Sequence, residues 1–238
     1  MTNIAAIYKR EIYSYFLSPI AYITFLLFLL ITGWQFSLSL LPGQYADVII
    51  QAVFGMTGFL ILFATPLLTM RTFAEEHQRG TMELLMTAPL KEHEIIFGKF
   101  LAAYSLYLGL FAIILIYPAI IWIVSTPTFG PLFSAFVGIL LIAACFTAVG
   151  CFTSTLSKNQ LVAAVISFSL LLPLIFIDAI GNRLGGEWEK GAKIISFFGH
   201  YDGFARGVIN FHDVAYFVLF CSLFIFLTIQ SQRSLRWR

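Results

Sequence analysis

Six apolar runs, each long enough to cross a bilayer, leave this chain few ways to fold. A spanning helix needs about 20 residues. The runs cover residues 20–41, 50–70, 99–124, 132–156, 160–180 and 213–231. Only 11% of the 238 residues are charged, against about 25% in an average soluble domain. That is too few to wet the surface of a soluble protein this size. The chain is therefore expected to be an all-α polytopic membrane protein with six spans. The first run exceeds the roughly 7–15 apolar residues of a signal peptide, and no A-x-A-like site follows it closely.

Lys and Arg set the orientation. With the N-terminus inside, Lys9, Arg10, Arg71, Arg79, Lys91, Lys99, Lys158, Arg233, Arg236 and Arg238 face the cytoplasm. Arg183, Lys190, Lys193 and Arg206 face outward. This bias predicts both termini on the cytoplasmic side. The basic tail QSQRSLRWR then reads as an anchor following the last span. No basic cluster with interleaved aromatics points to nucleic acid.

The spans hold almost no ionisable residue; Asp178 comes near, at the end of the fifth. An ion-coupled carrier keeps such groups midway, so work done here draws its energy from elsewhere. Pro66, Pro118 and Pro173 each remove a backbone hydrogen bond and are expected to bend their helices. Cys145, Cys151 and Cys221 fall inside apolar runs and read as packing residues. The fourth span spaces small residues four apart: Ala144 with Ala148, Thr147 with Cys151, Gly150 with Ser154. Such spacing lets helices approach closely, here within the subunit.

Charge is concentrated in TMRTFAEEHQRGTMELLMTAPLKEHEIIFGKF, residues 69–100, which carries five of the chain's twelve carboxylates. Thr72 and Glu75 fit a capping box, Glu76 suits the helix N-terminal dipole, and Gly80 is placed to stop the helix. A second piece from Thr81 to Met86 follows. Pro89 then breaks the chain, and Lys91 to Glu94 restart it into the third span. Phe73, Met82, Leu84, Leu85 and Met86 give this loop an apolar edge. Two readings fit: a helix lying on lipid headgroups, or an element docking into a cleft on a soluble partner.

Residues 73–102, FAEEHQRGTMELLMTAPLKEHEIIFGKFLA, resemble the signature region of ABC-2 type transporter permeases. The run E-E-x-x-R-G-T-x-E-L-L carries most of the likeness. Chain length, six spans, the N-terminal helix and FFGHYDGFARGVINFHDVAYF before the last span extend it. Within the family, the likeness runs to short bacterial permeases linked to gliding motility. The resemblance implies one transmembrane domain over residues 1–238 in the bacterial inner membrane. It implies a cytoplasmic coupling helix between spans two and three, with Phe73, Glu75, Glu76, Arg79, Gly80, Thr81, Glu83, Leu84 and Leu85 on or beside it. Partners implied are two copies of an ABC ATPase and a second permease, identical or related. No G-x-x-x-x-G-K-[ST] loop occurs in the sequence, so ATP and Mg are expected in the partner ATPase and no cofactor in this chain.

Residues 3–18 read as an amphipathic helix before Pro19. Ile4, Ile7, Tyr8, Ile12 and Tyr15 share a face, and Lys9 and Arg10 point away. Glu11 sits anomalously within the apolar face. Such a helix lies along the membrane lipids; the resemblance makes it the elbow helix. Between spans five and six, Gly181–Gly191 reads as a loop. Apolar positions 194, 198, 201, 205 and 208 then set an amphipathic or re-entrant helix carrying Phe198, Tyr201 and Arg206. His200 with Asp202 is a thin ligand pair and reads as an interfacial polar patch, so no metal site is assigned.

Two other classes compete with the permease. Glu75-Glu76 with Arg79, and Phe73 four residues before His77, faintly resemble the motifs of CAAX-type membrane metalloproteases. The spacing is one residue short, and metal catalysis needs ligands converging from different helices. A non-transporting anchor subunit is the third class. The charge-poor spans suit an amphipathic cargo, and equally a complex doing mechanical work on an extracytoplasmic partner.

Overall fold

The structure is a computed structural model describing residues 3–40, 45–81, 91–125 and 127–236. Every regular element among them is a helix. They are α1 (Asn3–Leu17), α2 (Pro19–Ser39), α3 (Ala46–Thr69), α4 (Ala74–Arg79), α5 (Glu92–Ile114), α6 (Ile116–Val124), α7 (Phe129–Thr155), α8 (Gln160–Leu184), α9 (Gly186–Ile195), α10 (Phe197–Ala205) and α11 (Phe211–Arg236). Six helical stretches are long and apolar enough to cross a membrane: α2, α3, α5 with α6, α7, α8 and α11. The protein is a multi-pass membrane protein, as its apolar runs predict.

Local chemistry sets the helix ends. Ser18 caps α2, accepting from the Ile20 N–H, with Pro19 at the first helical position. Asn159 caps α8 through the Leu161 N–H at 2.9 Å. The third span is interrupted at Leu115, three residues before Pro118, which cannot donate to the Ile114 carbonyl. Pro66 and Pro173 lie inside helices that continue past them.

The small-residue helix α7 forms the centre and packs against α3, α5, α8, α10 and α11. Leu26, Leu30, Leu161, Val165 and Leu219 point outward, as lipid-facing residues should. Buried hydroxyls are satisfied locally. Thr32, Thr57, Thr65, Thr69, Thr147 and Thr228 each donate to the carbonyl four residues earlier. Thr65 also meets the buried Tyr107 hydroxyl at 2.8 Å. This lets polar side chains fill helix contacts without a charge in mid-span.

The bundle has two unlike ends. One gathers α1, α4, the start of α5 and the end of α11, where Arg233 meets Glu92 at 2.8 Å and Asn3 meets Glu94 at 3.1 Å. The other holds α9, α10 and the start of α11.

Here two expectations are corrected. Gly181–Gly191 is not a loop: α8 runs to Leu184, and α9 begins at Gly186 after a turn whose glycines have positive φ. The helix expected from position 194 starts at Phe197, capped by Ser196. Its buried face is Phe197, His200, Tyr201 and Phe204, while Ile194 and Val208 are exposed. The buried face lies about one step out of phase with the apolar rhythm of the sequence because Ser196 divides that rhythm between two helices. The last helix continues into the basic tail, α11 running through Arg236.

Candidate functional site

The most unusual chemistry lies where α1, α4 and α5 meet. Lys99, two turns into α5, is 1% exposed. Its ammonium donates to Glu11 Oε1 at 3.1 Å and to the Thr72 carbonyl at 2.6 Å, and it lies 3.0 Å from Glu76 Oε1. Two hydrogen bonds and one further ion-pair contact thus surround the ammonium. The Phe73 ring lies 5.1 Å away and adds a cation–π contact. Arg10 bridges the same carboxylates, 2.7 Å from Glu11 and 2.8 Å from Glu76. Two cations and two anions thus form a neutral, largely buried cluster spanning three helices.

Charge balance makes the cluster tolerable. Burial raises the Glu11 carboxyl, but Lys99 and Arg10 outweigh that and hold it below the usual carboxylate range. Burial likewise lowers Arg10, and Glu11 with Glu76 more than restores its positive charge. The anomaly of Glu11 on the apolar face of α1 is resolved: it is the anchor by which α1 docks. Arg10 is exposed, as its helical phase implies, and from there it also reaches Glu76 of α4.

Packing reinforces the docking. A Cβ at Gly98 of α5 would lie 2.8 Å from Ile7 Cγ2, so the missing side chain lets α1 sit against α5. Ile7 and Tyr15 are buried, Ile4, Tyr8 and Ile12 half-buried, and Lys9 exposed. The Tyr15 hydroxyl meets Thr72 Oγ1 at 3.2 Å, and Arg71 donates to Ser18 Oγ.

The Thr72–Glu75 capping box does not form. Thr72 is turned to Tyr15, and Glu75 pairs with Arg79 at 2.6 Å. Instead Ser154, from α7, accepts from the backbone N–H groups of Phe73 and Ala74 at 2.9 and 3.0 Å and donates to the Met70 carbonyl. A neighbouring span caps α4. Ser154→Ala is expected to cost about 1–3 kcal/mol, since two buried donors lose their partner. Faster hydrogen exchange at the Phe73 and Ala74 amides, with a lower melting temperature, is the check.

Gly80 does end α4, in the left-handed region at φ 69°. There Thr81 N–H returns to the Glu76 carbonyl at 3.1 Å, as in a Schellman turn. Phe73 is fully buried rather than part of an apolar edge offered to a partner. The side chains that do face outward are Gln78, Arg79 and Thr81, with Glu75 partly exposed. Glu83, Leu84 and Leu85, with Met82 and Met86, lie outside the described residues.

The sequence model of the ABC-2 type transporter family matches residues 2–178. The chain belongs to that family. It is thus a permease subunit of an ABC transporter, a transmembrane component that associates with an ABC ATPase and is not generally catalytic itself. No curated protein matches the sequence. In this ABC-2 permease the match takes in α1 to α7 and nearly all of α8, including the whole charged cluster. Helices α9 to α11 lie beyond it.

The metalloprotease resemblance does not assemble a site. Glu75, Glu76 and His77 share one six-residue helix, and Glu76 is held by Lys99 and Arg10. At the opposite end, Phe198 is half-buried beside Gly58, Tyr201 is buried, and Arg206 is exposed and paired with Asp202. His200 does not pair with Asp202; it meets Asp213 at 2.7 Å.

Proposed function

We propose that the exposed end of α4 and the chain just beyond Gly80 receive the ABC ATPase, and that the buried cluster carries its movement into the membrane. The observation that supports this most directly is the cluster itself. Glu76 of α4, Glu11 and Arg10 of α1 and Lys99 of α5 share one set of short charge contacts. A displacement of α4 therefore has to move α1 and α5 with it or break buried ion pairs. Two such permeases, identical or related, pair over two ATPases that bind ATP and Mg. Nucleotide-driven closure biases the bundle between two conformations. The cycle exports a substrate or works on an extracytoplasmic partner across the bacterial inner membrane. Residues 1–238 act as one domain, with both termini and the cluster on the cytoplasmic side.

Arg79 tests this reading because its side chain is 70% exposed. Arg79→Glu is expected to leave the melting temperature of the permease unchanged. It should lower the coupled ATPase activity of the complex purified from native membranes by about tenfold or more, the scale of 1.4 kcal/mol. Wild-type coupling in Arg79→Glu, or ATP hydrolysis by the purified permease alone, sinks the proposal.

A further inference from the structure

The opposite end of the bundle carries a second polar cluster, away from the proposed coupling site. His200 of α10 is buried and its ring stacks on Tyr216 at 4.0 Å between centroids. Its Nε2 lies 3.1 Å from the Ile194 carbonyl. A carbonyl only accepts, so Nε2 carries the proton and Nδ1 of the neutral ring presents a lone pair. That lone pair faces Asp213 Oδ1 at 2.7 Å. Two acceptors this close need a positive centre: a shared proton at the present spacing, or a metal ion once the pair opens by about half an ångström to the separation of two tetrahedral zinc ligands.

The third side chain favours the metal. His212 Nδ1 lies 3.6 Å from the same Asp213 oxygen. The ligand atoms of His200, His212 and Asp213 all fall within 4.8 Å of one another. A simple imidazolium–carboxylate pair has no use for a second imidazole, and protonating both rings would set like charges side by side, their centroids 5.2 Å apart. A metal ion uses both rings as neutral ligands. The surroundings fit as well. The Ile194 carbonyl fixes the His200 tautomer, and the Asn210 amide donates to Asp213 Oδ2 at 3.0 Å. Ligating histidines and carboxylates are characteristically oriented by such outer partners.

We propose that His200, His212 and Asp213 bind one divalent transition-metal ion, with zinc the best match to two imidazoles and a carboxylate. The ion joins α10 to the first turn of α11 and so pins the helices between the fifth and sixth spans onto the last span. His212 is 79% exposed at its side chain, which leaves the fourth position open to water or to a ligand from outside the chain. The site lies beyond residues 2–178, the part matched by the family, and does not depend on how the ATPase couples.

The test uses the full-length permease in detergent, carrying an affinity tag without histidine and stripped with a chelator. Cobalt(II) is titrated while its visible ligand-field bands are followed, and zinc(II) is then added in competition. Wild type is expected to bind one equivalent of cobalt, to release it to zinc, and to melt at a higher temperature with zinc than without. His212→Ala, at an exposed position that should not disturb folding, is expected to weaken binding at least tenfold and to lose the zinc-dependent rise in melting temperature. His93→Ala, at the other end of the bundle, should behave as wild type. Absence of saturable one-equivalent binding in wild type overturns the proposal, as does wild-type affinity in His212→Ala.

Discussion

Lys99→Met is expected to destabilise the permease by about 3–5 kcal/mol, the usual cost of stranding buried charge by removing its partner. The substitution keeps the length and apolar stem of the side chain, so lost packing contributes little. What remains is Glu11 and Glu76 facing one another with Arg10, among the described residues, as the only cation in contact with both, and the Thr72 carbonyl without its donor. For a chain of this size such a loss lowers the melting temperature by roughly 10 °C. The electrostatic origin is separable from generic damage. Lys99→Met combined with Glu76→Gln returns the cluster to neutrality, one anion against one cation, and should recover a large part of the loss. A double variant as unstable as the sum of its parts would show that the cluster is not coupled. The same cluster predicts acid lability. Glu11 is held below the ordinary carboxylate range, so its stabilisation is complete above that range and disappears as pH falls through the lowered value. Wild type should therefore lose α1 docking only in acid, and Glu11→Gln should show the loss at neutral pH.

Much of this architecture is legible in the residues because lipid imposes a one-dimensional constraint. Runs of about 20 apolar residues become spans whatever they pack against. The charged cluster is different. Glu11 and Lys99 are 88 positions apart, and each looks like a local detail alone, an acid on an apolar helix face and a base at the very start of an apolar run. Two opposite charges in apolar surroundings are the signal that could have paired them, but the sequence does not say which helices meet. The Thr72–Glu75 box failed for a related reason. A local cap competes with any better acceptor that tertiary packing brings, and Ser154 arrives from α7. At the outer end, the hydrophobic rhythm was misphased because it runs across Ser196, where one helix stops and another starts. His200 meets Asp213, which folding brings to it, and not its near neighbour Asp202, because residues two apart on a helix do not face each other.

Gly150→Leu is expected to be the most disruptive single change in the central helix. Even the Cβ of alanine there would sit 2.1 Å from Thr69 Oγ1 and 2.7 Å from Thr69 Cβ. Thr69 cannot simply turn aside, because its hydroxyl donates to the Thr65 carbonyl at 2.7 Å within α3. Accommodation requires α3 and α7 to separate. Gly150→Ala should cost about 1–3 kcal/mol, the range for overpacking a filled core, and leucine should prevent accumulation of folded protein. The consequence reaches beyond stability because of what lies one turn along. Ser154 follows Gly150 on α7, Met70 follows Thr69 at the end of α3, and Ser154 holds both Met70 and the start of α4. Prising the helices apart at Gly150 therefore lifts the cap from α4 and loosens the helix proposed to receive the ATPase. Gly150→Ala should accordingly reduce coupled ATPase activity more steeply than an equally destabilising substitution at a lipid-facing position such as Leu161. Adding Thr69→Ala, which removes the two nearest γ atoms, should restore part of both stability and coupling. Coupling that tracks stability alone, with no difference between the two positions, would separate α4 from the α3–α7 contact and leave the buried charges as its sole mechanical link.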